Sequence, residues 1–273
     1  DYAQHGNARI SDLAEIELLT PIKSKLSKLF NCMVKNVAVL SSASEFLSQL
    51  PYIIGKSNSG KVIMIRSDFP SLIRPWLGAN SRGKRFDITL VDDTSETSLT
   101  EKILNEVDSN TLAIIVSHVQ FSTGTKVHLK KIKDAATKVG AYFILDVTQS
   151  AGAIPISDEG LPADALVCSG YKWLGGHGGA GFAILSDKLL EIEPLATGWM
   201  SSHRPFEMNT SNLDFSDSAM KYTQSTMSYV TIKGIEKSLK QILELNIQSI
   251  QEHSVSLSAN FLKKIEGSEW RPF

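Results

Sequence analysis

AYFILDVTQSAGAIPI (residues 141–156) and ALVCSGYKWLGGHGGAGF (residues 165–182) carry the decisive reading of this chain. Tyr142, Phe143, Ile144 and Leu145 form a short apolar run bounded downstream by small and polar residues. Such a run predicts a fully buried strand of a parallel sheet. Asp146 stands at its end, a carboxylate where the strand leaves the core. Ala165, Leu166, Val167 and Cys168 form a second run, followed by Ser169, Gly170, Tyr171 and Lys172. In open α/β sheets, ligands sit outside the carboxyl ends of the strands. An acid and an amine delivered to that edge are therefore candidates for one site.

Taken singly, each residue has a plain explanation: a lysine after a strand is usually surface, and an aspartate at a strand end commonly caps a turn. Together they suit pyridoxal phosphate. A lysine amine forms a Schiff base with the cofactor aldehyde, and a carboxylate keeps the pyridine nitrogen protonated, so that the ring withdraws electrons from the substrate Cα. The segments Asp146-Val147-Thr148-Gln149-Ser150 with Gly152, and Ser169-Gly170-Tyr171-Lys172-Trp173-Leu174 with its glycine-rich tail, resemble the class V aminotransferase family of fold-type I pyridoxal phosphate enzymes. That group includes cysteine desulfurases, kynureninase and isopenicillin-epimerase-like proteins.

The resemblance covers about residues 36–265 and implies roles position by position. Lys172 would take the aldehyde and serve as acid and base at Cα. Asp146 would meet the pyridinium nitrogen and Gln149 the ring hydroxyl. Ser169 and Tyr171 would bind phosphate, with Tyr171 standing where desulfurases have a histidine. Ala43 and Ser44, in the turn Ser41-Ser42-Ala43-Ser44-Glu45, would cradle the same phosphate; read from the residues alone, this turn is an ordinary helix N-cap before it is an anion site. Phe69, in a kynureninase-like Phe-Pro-Ser step, would lie flat on the ring. Trp199 lies in a segment shared with kynureninase-like proteins. Thr226 is what remains of a Gly-Thr-Pro motif that reaches the phosphate of a neighbouring subunit, with Ser225 and Met227 replacing the glycine and proline. The resemblance thus implies a homodimer with shared sites.

Composition sets the outer bounds. The 273 residues are enough for one large domain, or one domain plus part of another. Hydrophobic and charged fractions of 42% and 21% describe an ordinary globular chain. A formal net charge of −1 gives no electrostatic footprint for nucleic acid or an anionic membrane. Two cysteines, Cys32 and Cys168, suggest no disulfide framework. No apolar stretch reaches the roughly 18 residues of a membrane helix, and no signal peptide is visible, so the cytoplasm is the default. No metal site is read. The chain begins at Asp1 rather than Met and stops at Phe273, soon after a long helical pattern, which reads as a fragment.

Along the chain, Ser11 and Asp12 precede helically spaced Leu13, Ile16, Leu19, Ile22, Leu26 and Leu29, with Pro21 expected to bend or break the run. Strands are predicted over 36–40, 61–65, 85–91, 111–116 and 180–185. Helices are predicted over 96–107, over 130–139 with Gly140 as C-cap, and as one long run over 231–265. Between strand and lysine chemistry, His118 reads as a structural residue rather than a general base, while Gln120 and Phe121 fall nearest the expected ring and substrate. Gly175, Gly176, Gly178 and Gly179 read as a turn that lets Lys172 approach the cofactor; they lack the Walker lysine and the dinucleotide pattern.

The expected fold is therefore α/β: the large domain of a fold-type I pyridoxal phosphate transferase, a mostly parallel sheet with helices on both faces, with the small C-terminal domain missing or truncated. The expected division is a cofactor domain over 1–230 and, over 231–273, a linker helix with the start of that small domain. The expected activity is pyridoxal phosphate chemistry at or beyond the Cα of an amino acid. The alternatives are a lyase or desulfurase, or a relative that keeps the fold without catalysis. A desulfurase needs a mobile nucleophilic cysteine, and neither Cys32 nor Cys168 is suitably placed for that. Arg271, the only arginine near the C-terminus, is not assigned to a substrate carboxylate.

Overall fold

The computed structural model describes residues 2–6, 10–55, 59–93, 98–156 and 161–270. A short α1 (Tyr2–His5) and α2 (Asp12–Leu29) lead into β1 (Val37–Leu40), α3 (Ala43–Leu47) and α4 (Leu50–Ile53). Then follow β2 (Ser59–Ile65), α5 (Pro70–Asn80), β3 (Arg85–Val91), α6 (Leu99–Asn105), β4 (Thr111–Ser117), α7 (Leu129–Val139) and β5 (Tyr142–Asp146). The chain closes with β6 (Ala165–Ser169), β7 (Gly181–Leu185), α8 (Asp187–Leu190), α9 (Tyr229–Leu245) and α10 (Ile247–Ile265).

The strands form one sheet in the order β1-β7-β6-β5-β4-β2-β3. Only β7 runs against its neighbours, pairing antiparallel with β1 and β6; the pairs among β2 to β6 are parallel. Alternate side chains feed two separate cores. Val37, Val39, Ile63, Ile114, Val116, Phe143 and Leu145 face the α2, α7 and α9 side. Ala38, Leu40, Val62, Met64, Ile115 and Ile144 face α3, α4 and α5. Near-continuous apolar runs are what a sheet covered on both faces requires. The expected α/β/α architecture is observed.

Several local expectations change. Pro21 does not break the first helix: α2 continues through it, capped by Ser11 and anchored by buried Leu19, Ile22 and Leu26. The helix expected from residue 96 starts after its cap Ser98, whose side chain accepts from the Glu101 amide; Glu96 lies outside the described residues, as does Arg271. The single helix expected over 231–265 is two. Asn246 sits between α9 and α10 at φ 66° and caps α10 by accepting from the Gln248 amide at 2.9 Å. With ψ at 127° this residue lies outside the left-handed helical well as well as the right-handed one, so the helical path ends there. Buried Ile232, Ile235, Leu239 and Ile242 tie α9 to the core, whereas no residue of α10 is buried.

Two glycines bring separate loops together at the sheet edge. Gly152 (φ 90°) lets the loop after β5 touch the loop after β6; a methyl group there would lie 2.6 Å from the Trp173 carbonyl oxygen. A methyl group on Gly181 would lie 3.0 Å from the Ala43 amide nitrogen, so the start of α3 rests directly on β7.

Candidate active site

A cleft opens at the carboxyl ends of the strands. It is lined by Ala43 and Ser44 after β1, Phe69 and Ser71 after β2, Ser117 and Phe121 at the end of β4, Asp146, Thr148 and Gln149 after β5, and Ser169, Tyr171 and Lys172 after β6. Parallel strands aim their carboxyl ends at one edge, so five connections converge there.

Asp146 is the last residue of β5 and is buried. Its Oδ1 accepts from the Thr148 amide at 2.7 Å. Burial pushes its carboxyl up to about 6, the Thr148 hydrogen bonds oppose the shift, and the charge of Asp68 adds to it. Among the described residues no ion pair to Asp146 occurs. A buried carboxylate without a cation is costly, and a protonated ring nitrogen in the cleft is the chemistry that would relieve it.

Gln149 has its Oε1 occupied by the Trp173 indole N–H at 3.1 Å, which leaves its Nε2 as a donor for a ring oxygen. Thr148 fixes the next loop, its Oγ1 accepting from the Ser169 amide at 3.0 Å. Lys172 follows the Ser169-Gly170-Tyr171 turn, with Nζ 5.4 Å from the Tyr171 ring centroid.

The turn before α3 is the helix N-cap of one of its readings, and it also borders the cleft. Ser42 is the helix cap, accepting from the Glu45 amide. Ser44 instead points its hydroxyl at that of Ser71, 2.7 Å away, and both line the cleft. The first-turn amides of α3 have no partner within the helix. Phe69 caps α5 without a side-chain bond and meets Phe121 edge-on, 5.7 Å between centroids at 88°.

Eight of the ten predicted site residues thus meet in one cleft. Trp199 does not line it; it packs edge-on against Phe206 at 5.3 Å. Thr226 is exposed on the segment before α9, and the cap of that helix is Ser228 rather than Thr226. Phe121 reaches the cleft, but Gln120 is buried behind it and donates to Asp68. His118 is buried and held down to about 4 by desolvation and then by Lys126, so it is neutral at pH 7. Neither cysteine lines the cleft; burial pushes the Cys32 thiol up to about 11 and Cys168 well above its usual range. Ser71, Ser117 and Thr148 join the cleft without having been singled out. Ser71 and Thr148 lie inside motifs already in hand, and Ser117 obeys the strand-end rule.

A sequence profile of the aminotransferase class-V family matches residues 2–271. The chain belongs to that family. It is 24% identical over 213 residues to a probable cysteine desulfurase of Aeropyrum pernix, covering 78% of this chain and 52% of that protein. It is 26% identical over 168 residues to the kynureninase of Pseudomonas fluorescens, covering 61% of this chain and 40% of that protein. Among solved structures, a mutant of C-DES with glycine covalently linked to its pyridoxal phosphate superposes with a TM-score of 0.85 at 16% identity, over 99% of this chain and 74% of that one. The cysteine desulfurase CsdA of Escherichia coli gives 0.81 at 17% identity, over 96% and 67%. At these identities the superpositions establish the fold. The chain spans about half the length of the curated relatives it matches.

The residues present fit the cofactor of this class-V family. The cleft supplies a carboxylate lacking a cation, an amide donor, hydroxyls with helix-start amides, an aromatic face and one amine.

Proposed function

We propose that this chain is the cofactor-bearing part of a pyridoxal phosphate enzyme that acts at or beyond the Cα of an amino-acid substrate. The observation that carries this reading is the meeting of Asp146, Gln149 and Lys172 in one cleft at the strand ends. When bound, pyridoxal phosphate supplies a ring that accepts the electron pair released at Cα. Asp146 would hold a proton at the ring nitrogen, and Gln149 Nε2 would donate to a ring oxygen. Phe69 would cover one ring face and exclude water from it. Ser44, Ser169, Tyr171 and the Ala43 amide would hold phosphate oxygens. Lys172 Nζ would carry the aldehyde at rest and move the proton at Cα during turnover.

Borohydride reduction in the presence of pyridoxal phosphate, followed by peptide mapping, is expected to place a pyridoxyl group on Lys172. Label on another lysine, or none despite bound cofactor, overturns the assignment.

A lyase or desulfurase that cleaves C–C or C–S is the second reading, favoured by relatives described as kynureninase and cysteine desulfurase. Sulfide or a cleaved side chain released from a panel of amino acids, rather than an exchanged amino group, distinguishes it. Because neither Cys32 nor the fully buried Cys168 lines the cleft, a desulfurase thiol would come from outside this chain. A non-catalytic relative would take up cofactor yet leave every amino acid unchanged. The proposal extends to a homodimer, to a location in the cytoplasm, and to a division between the cofactor domain (1–230) and a linker helix leading into a small domain (231–273). Among the described residues no helix is long and apolar enough to cross a membrane.

A further inference from the structure

We propose that Asp68 is a positioning residue for this site: its ionised carboxylate ties Phe69 and the end of β4 into one fixed wall of the cleft. This rests on the cofactor reading above, because Phe69 is the face offered to the ring. Asp68 lies between β2 and α5 and is buried. Its Oδ1 accepts from the Phe69 amide at 2.7 Å and from the Ser117 hydroxyl at 2.6 Å. Its Oδ2 accepts from the Ser117 amide at 2.8 Å and from Gln120 Nε2 at 3.3 Å. A carboxylate offers about four acceptor positions and no donor, and all four of these partners donate.

The partners are those that shape the cleft. Phe69 and Ser117 line it directly, and Gln120 precedes Phe121, whose ring braces Phe69. Ser117 is also the residue in register with Asp146 on β5. None of the four partners is basic. A buried carboxylate held by neutral donors alone carries a desolvation cost, which the four bonds offset. An asparagine would keep the size but replace one acceptor oxygen with an NH2, so at least one of the four N–H or O–H groups would face another donor.

The test uses Asp68→Asn with two readouts. In cofactor-free protein, the Phe69 and Ser117 amides are expected to exchange with solvent at least about tenfold faster than in wild type, since a bond to a charged acceptor is worth that much, while the amides of β5 keep their protection. With pyridoxal phosphate added, the affinity is expected to fall about tenfold and the induced circular dichroism of the bound cofactor to shrink. Unchanged exchange at Phe69 and Ser117 overturns the proposal, as does faster exchange with unchanged affinity and dichroism. If Asp68→Asn does not fold, Ser117→Ala removes one of the four bonds and is expected to move both readouts in the same direction; no change in either overturns the proposal. A wild-type protein that takes up no pyridoxal phosphate overturns the proposed function instead, and amide exchange still decides whether Asp68 holds Phe69 and Ser117.

Discussion

Asp146 sets function against stability at a single residue. Its carboxyl is raised to about 6 in the folded chain from 3.8. Between those values the native state binds more protons than the unfolded state, so stability falls as pH rises through this window. The cost is complete above about pH 6 and absent below about pH 4. A shift of this size corresponds to roughly 3 kcal/mol at neutral pH. Asp146→Asn removes the charge while its amide oxygen can still accept from Thr148. Cofactor-free Asp146→Asn is therefore expected to gain stability over wild type at pH 8, and the gain is expected to shrink toward pH 5, measured by urea unfolding at both values. The same variant is expected to lose Cα–H chemistry, because nothing then holds a proton at the ring nitrogen. A variant that turns over at the parent rate, or whose stability difference does not depend on pH, removes Asp146 from this role.

The elements divide into those that hold the cleft and one, α10, that touches the core only through its first turn, at Ile247 and Ile250. In α9, Ile235 lies under the Lys172 turn: a methyl group on Gly170 would meet its Cδ1 at 2.5 Å, and one on Gly176 would meet its Cβ at 3.2 Å. Ile235→Ala is expected to cost about 2–5 kcal/mol and to lower borohydride labelling of Lys172. Leu257→Ala in α10, where the side chain is exposed, is expected to change stability by less than about 0.5 kcal/mol. Equal losses in calorimetric unfolding would contradict this division. The contrast was only partly legible in the sequence. Apolar spacing runs on from Ile242 to Ile250, so nothing in the pattern marks the break, which depends on the backbone at Asn246. Strand ends were legible because each is a short apolar run closed by a polar residue, and those ends carry eight of the ten expected site residues. Asp68 was not legible, since its partners Ser117 and Gln120 lie 49 and 52 residues away and only the sheet order brings them close.

At the scale of the whole molecule, the homodimer with shared sites proposed above makes testable demands on the mouth of the cleft. Phe69, Phe121 and Tyr171 line the cleft and, with Trp173 beside Gln149, are 43%, 49%, 48% and 57% exposed, aromatic surface that a second chain could cover. A phosphate dianion needs several donors; the chain's own candidates are the hydroxyls of Ser44, Ser169 and Tyr171 with the amides at the start of α3, and the proposed shared site would add Thr226. Thr226 is exposed and does not cap α9, so the hydroxyl is available to another chain. A two-fold interface makes any such contribution reciprocal, giving two equivalent sites built from both chains. Sedimentation is expected to show a dimer, and cofactor titration of Thr226→Ala is expected to show an affinity at least about tenfold weaker with the dimer intact, in line with the loss of one hydrogen bond to a charged group. A monomer that binds pyridoxal phosphate tightly would refute the shared site, and so would a Thr226→Ala dimer with unchanged affinity.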